Sequence, residues 1–126
     1  MFTAATVTSD ENFSLDLGRN LGKALRRKLG QLPNACWLFC APKAGLQDLL
    51  DGINETVSTR NIVGCTTAGE MSCAGYHRGS AVLGGIASDQ MGTGVRSGWS
   101  PIGLAKKVTR ASGNVLYELN GEPAHT

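Results

Sequence analysis

Apolar positions change their period along the chain, and each change marks a new element. Residues 2–8, FTAATVT, combine small and β-branched side chains and predict an opening strand. From Leu17 the spacing turns helical, with Leu17, Leu21, Ala24, Leu25 and Leu29 on one face. Ser14 stands where an N-cap belongs, and Asp16 suits the positive first turn. Arg26, Arg27 and Lys28 suit the negative last turn, before Gly30 and Pro33 stop the helix. Residues 35–41, ACWLFCA, are apolar without alternation, as in a strand covered on both faces. Leu46, Leu49, Leu50, Ile53 and Val57 predict a second amphipathic helix, and residues 62–65 another short strand. The first half reads β-α-β-α-β.

From Ser80 the pattern becomes that of hairpins. SAVLGGIAS and TGVRSGW flank the turn-forming DQMG, and AKKVTR and NVLYEL flank ASGN. Val115, Tyr117 and Leu119 share one face of the last strand. The expected fold class is α+β in a two-layer arrangement, with two helices packed on a mixed or antiparallel β-sheet. Two helices cover one face only, so the helix-free face of ACWLFCA must meet another sheet or another chain.

Length fits this picture, since 126 residues suit one domain, residues 1–126, with a core of its own. Composition adds a partner. Hydrophobic residues are 41% and charged residues 17%, against about 25% in an average chain. Scarce charge leaves surface apolar, so a homo-oligomer is expected, most simply a twofold dimer. Val82, Leu83, Ile86, Val95 and Trp99 are its candidate interface. A net charge of +2 is too small to point to nucleic acid, and Arg19, Lys23, Arg26 and Arg27 read as a solvated helix face. No apolar run is long enough to span a membrane as a helix. The start, Met1–Thr8, has neither the basic residues nor the apolar run of a secretion signal, so a cytoplasmic location is expected.

The four cysteines, Cys36, Cys40, Cys65 and Cys73, then read as free thiols. Their spacings, C-x3-C and C-x7-C, lack the C-x2-C pairs of zinc sites, and neither His77 nor His125 has a partner at metal spacing. Neither a metal nor a cofactor is expected.

One stretch stands apart. In VGCTTAGEMSCAGYHRGS, residues 63–80, a short apolar strand runs into glycine, a thiol, two threonines and a carboxylate. This stretch resembles the signature of the FIST N-terminal domain, a module of bacterial signal-transduction proteins. GWSPIG (98–103) and VTRASGNVLYELNGEPA (108–124) are similar to a later part of that domain, and LFCAPKAGLQDLL (38–50) is compatible with it. The resemblance implies a sensory domain for a small ligand, with amino acids suggested. It also implies a longer domain followed by a C-terminal FIST domain. This chain is expected to be a shortened copy, reduced between about Ala87 and Gly98, with no C-terminal FIST domain after NGEPAHT.

Two readings of GCTTAGE follow. As a ligand floor, Gly64 and Gly69 bring bare backbone close, Cys65, Thr66 and Thr67 line the floor, Glu70 pairs with an ammonium group, and Trp99 caps the pocket. As a structural turn, the hydroxyls are satisfied locally, Glu70 lies on the surface and Trp99 covers the sheet end. A third reading makes Cys65 a nucleophile with His77 as its base. The leading expectation is a non-enzymatic, small-molecule-binding sensory module. The runner-up is an interaction or structural module that oligomerises without a ligand, and the third is a cysteine-dependent enzyme.

Overall fold

The computed structural model describes residues 1–59, 61–89 and 107–124. They fall in two compact units, Met1–Val95 and Arg96–Thr126. The first begins β1 (Phe2–Ser9), α1 (Leu15–Leu29), β2 (Ala35–Cys40), α2 (Leu46–Val57) and β3 (Ile62–Thr66), as the apolar spacing predicts. β4 (Glu70–Ser72), β5 (Gly75–His77) and β6 (Ala81–Ser88) follow. The main sheet has the order β1-β6-β2-β3; β6 runs antiparallel to both neighbours, whereas β2 and β3 are parallel. The α+β class is therefore observed, with a mixed sheet.

The first helix, α1, begins and ends where its capping chemistry sits. The Ser14 hydroxyl accepts a 3.1 Å bond from the Leu17 amide, and Gly30 closes α1 in the left-handed region at φ 72°. The apolar stripe of α1 covers one face of the sheet, with Leu25 and Leu29 against the bare Cα of Gly85. Leu17, Leu21, Leu25, Leu49, Ile53 and Val57 join Val7, Cys36, Leu38, Cys40 and Leu83 in a single core. The helices cross closely at Gly18 and Gly52, where an added Cβ would run into the facing helix backbone.

Arg19 does not form a free basic patch. Its guanidinium bonds Glu55 at 2.6 Å and Asp16 at 3.3 Å, while Arg26 donates to the Thr56 carbonyl. The Lys43 ammonium lies over the Phe13 ring and donates to the carbonyls of Asp10, Glu11 and Gly79, tying together three connections at one end of the sheet.

The helix-free face carries Trp37, whose ring lies over Gly84, and Phe39, which is 39% exposed. Two expected interface residues do not belong to any open face: Val82 is 2% and Leu83 0% exposed. Leu83 points into the helix-side core, and β4 lies against β6. Ile86 is half-buried. Val95 and Trp99 lie outside the described residues, as does the whole hairpin arm TGVRSGW.

The second unit contains β7 (Val108–Ser112), β8 (Val115–Leu119) and β9 (Glu122–Pro123), joined antiparallel in that order. Its first hairpin is the expected one, turned at Gly113 with φ 57°. Val108, Val115, Leu116 and Tyr117 stay 43–54% exposed. Leu116 faces opposite to Val115 and Tyr117, so both sides of this small sheet show apolar groups.

Candidate functional site

The GCTTAGE stretch divides into two places with different chemistry. Gly64, Cys65 and Thr66 belong to β3, whereas Thr67 and Gly69 belong to the turn that leads into β4 and Glu70 opens that strand. Beside β3 opens a cavity of about 360 Å3, lined by Leu38 and Cys40 of β2, Leu46 and Leu50 of α2, and Ile62–Thr66. Its volume lies at the small end of the range for ligand pockets. The lining is mostly apolar, and among the described residues none of its side chains is a carboxylate, ammonium, guanidinium or imidazole.

Gly64 is needed there because β3 approaches β2 closely. A Cβ at Gly64 would stand 1.8 Å from the Leu38 carbonyl oxygen, far inside contact distance. Hydrogen bonds fix which way the β3 backbone turns. The Asn61 carbonyl accepts from the Cys36 amide and the Thr67 amide donates to the Cys40 carbonyl, both at 2.8 Å. Alternation along the strand then directs the peptide groups of Ile62, Gly64 and Thr66 away from β2. Among the described residues β3 pairs with β2 alone, so these groups face an open edge. The Thr66 hydroxyl likewise has no partner among them, and Cys65 is exposed.

Glu70 does different work. It is only 2% exposed, which overturns the reading of it as a surface carboxylate. One carboxylate oxygen accepts from the Thr67 hydroxyl at 2.6 Å; the other accepts from the Ser80 hydroxyl at 2.5 Å and the Ser80 amide at 3.3 Å. Burial works to raise its pKa, but the bonds from Ser80 and Thr67 outweigh it and hold the carboxyl below the usual carboxylate range. The clasp joins the end of β3 to the start of β6. Ser80 is the member the sequence did not single out; a serine before an apolar strand carries no signal of its own.

Gly69 lies under the Tyr76 ring, in the β4–β5 hairpin. Trp99 lies outside the described residues, so the predicted cap has no structural account. His77 is on β5, not in a loop, and its Nε2 is 3.4 Å from the Ser72 hydroxyl. Cys36 and Cys40 are buried as expected, and burial pushes the Cys36 thiol up to about 11. Burial also raises Cys40, aided by the nearby Glu70 and Cys65. Both stay protonated at neutral pH and unreactive.

Two other concavities are built otherwise. One, of about 370 Å3, is lined by Lys23, Arg26, Arg27, Gly30, Gln31 and Leu32. The other, of about 390 Å3, lies beside β1 and is lined by Thr6, Val7, Thr8, Lys28 and Ser72–Ala74. Neither has the apolar enclosure that β2, β3 and α2 give the first.

The family comparison falls on the same ground. The FIST N domain family matches residues 34–91 and 76–122, which takes in β2, α2, β3, the Glu70 clasp and the second unit. The chain belongs to the FIST N domain family. Domains of this family serve sensing and signal transduction. No curated protein matches the chain, and no solved structure does. Among the described residues, no helix of this FIST N domain chain is long and apolar enough to cross a membrane, and no cluster of three or more His, Cys, Asp or Glu side chains is placed to hold a metal.

Proposed function

We propose that this FIST N domain chain is a non-enzymatic sensory module whose small-molecule ligand enters the cavity between β3 and α2. The observation that carries this reading is the enclosure of about 360 Å3 by Leu38, Leu46, Leu50 and Ile62 directly beside Gly64, Cys65 and Thr66. An apolar body fits among the leucines, and a polar end meets the Thr66 hydroxyl and the outward peptide groups of β3. The Glu70 clasp holds the strand end in place and does not touch the ligand. A free ammonium group therefore has no carboxylate to meet among the described residues of this cavity. A thermal-shift screen of the full chain tests the reading, using amino acids, blocked amino acids and small carboxylates. A ligand at about 100 times its Kd adds about 2.7 kcal/mol to stability. A melting curve that none of them moves removes the proposal.

A second reading, a module that works by self-association, is favoured by the helix-free face, where Phe39 is 39% exposed beside Trp37. An obligate dimer would bury on the order of 2,000 Å2 or more. Static light scattering at micromolar concentration separates it from a 13.2 kDa monomer.

A further inference from the structure

The geometry points to a class of ligand for this cavity: short peptides, bound in extended form along the open edge of β3 with one apolar side chain in the cavity. The inference rests on the sensory reading above and goes beyond it, because it replaces a free amino acid by a peptide main chain.

Three features meet at this edge. The first is backbone. Ile62, Gly64 and Thr66 direct their N–H and C=O groups away from β2, which leaves a strand-length template of donors and acceptors. An added strand satisfies such groups through its own peptide units, and pockets for alternate side chains supply selectivity. The second is the glycine. Residues opposite one another on neighbouring strands share a face, so a ligand residue opposite Gly64 presents its side chain on the helix side. Gly64 borders the cavity on that side, and Leu46, Leu50 and Ile62 line it as well. The third is charge. Among the described residues the lining has no ionised group, so it complements a neutral amide chain and offers neither charge of a free amino acid a partner. The length of β3, Ile62–Thr66, limits the paired segment to about three to five residues.

The opposite edge shows that this openness is local. The outward Thr6 carbonyl of β1 is taken by the Lys28 ammonium at 3.0 Å, and the Cys73 thiol lies against the Thr6 hydroxyl. A lysine over an edge carbonyl is a common guard against strand addition. The edge of β3 has no such guard among the described residues.

The test uses titration calorimetry of the full chain with N-acetyl-Ala-Leu-Ala-amide, free leucine, and the same blocked peptide N-methylated at the amides. The expected result is that the blocked peptide binds, while free leucine and the N-methylated peptide bind at least tenfold more weakly. Leu50→Phe, which fills the cavity, and Thr66→Pro, which removes an outward donor and spares the β2 ladder, each weaken the peptide at least tenfold. Two variants are used so that misfolding of one leaves the other to decide. Free leucine binding at least as tightly as the blocked peptide would overturn the inference and leave the small-ligand reading standing. So would an N-methylated peptide of undiminished affinity. A chain that binds neither probe and sediments as a dimer dissociated by Thr66→Pro would show the edge closed by a second copy, which also overturns it. Silence from every probe, here and in the thermal-shift screen, would remove both readings.

Discussion

The two edges of the main sheet, β1 and β3, receive opposite treatment. β1 is eight residues long, and its outward Thr6 carbonyl is bonded by Lys28 while the β4–β5 hairpin lies against it. β3 is five residues long and has a cavity, a bare glycine and a threonine hydroxyl with no partner among the described residues where β1 has its guard. An open strand edge is a liability that folds usually remove. Among the described residues the longer edge is guarded and the shorter one is free beside a cavity, which is the layout of a binding edge. The Glu70 clasp links the two, because it fixes the end of β3 and the start of β6, between which the hairpin is strung.

The largest expected effect comes from breaking that link. Glu70→Ala leaves the Ser80 amide and hydroxyl buried without an acceptor, and hydrogen bonds to a charged group are worth about 1.5–3 kcal/mol each. A loss of about 3 kcal/mol or more in urea unfolding is expected, with both edges loosened together. Acid gives the same effect in wild type. A carboxyl held below its unfolded value contributes stability that is present above about pH 4, and loses it as pH falls through the lower folded value. Glu70→Gln should flatten that pH dependence. A wild-type curve that stays flat between about pH 5 and pH 2 would contradict the clasp.

Next in size is Gly64→Val. Its Cβ meets the Leu38 carbonyl, and overpacking of this kind costs about 1–3 kcal/mol. The expected damage is confined to the β3 side, so the β1–β6 amides keep their protection while those of β3 lose it. Lys28→Met is smaller still in stability, under about 1 kcal/mol for an exposed side chain. Its readout is association: uncovering the Thr6 carbonyl should raise the apparent mass at high concentration in light scattering. An unchanged monomer fraction would mean that Lys28 does not guard the edge. Thiol labelling costs no stability and sharpens the map. Cys65 and Cys73 should react with a maleimide at neutral pH well before the buried Cys36 and Cys40.

Most of the fold was legible because its signals are strong and local. Leu17–Leu29 and Leu46–Val57 repeat with helical period, and Ser14, Gly30 and the apolar run ACWLFCA mark boundaries that physical chemistry reads directly. The β4–β5 hairpin was not legible. It turns through Cys73 and Ala74, which are not turn formers, and its Gly75 at φ 110° comes after them. The candidate site is legible in part. Gly64, Cys65 and Thr66, small residues at a strand end, line the cavity, but Leu46 and Leu50 reach it only through the tertiary fold. Glu70 is buried and bonded, not on the surface. A carboxylate after a Gly-rich turn looks free until Ser80, ten residues on, comes to meet it.

The central claim is that the edge of β3 is open and that a ligand closes it. Residue-resolved amide exchange, with and without saturating N-acetyl-Ala-Leu-Ala-amide, tests this most directly. In the free protein Gly64 and Thr66 should exchange at least tenfold faster than Val63 and Cys65, whose amides bond to β2, and the peptide should slow Gly64 and Thr66 to a similar rate. Equal protection of all four amides before any ligand is added would contradict the account.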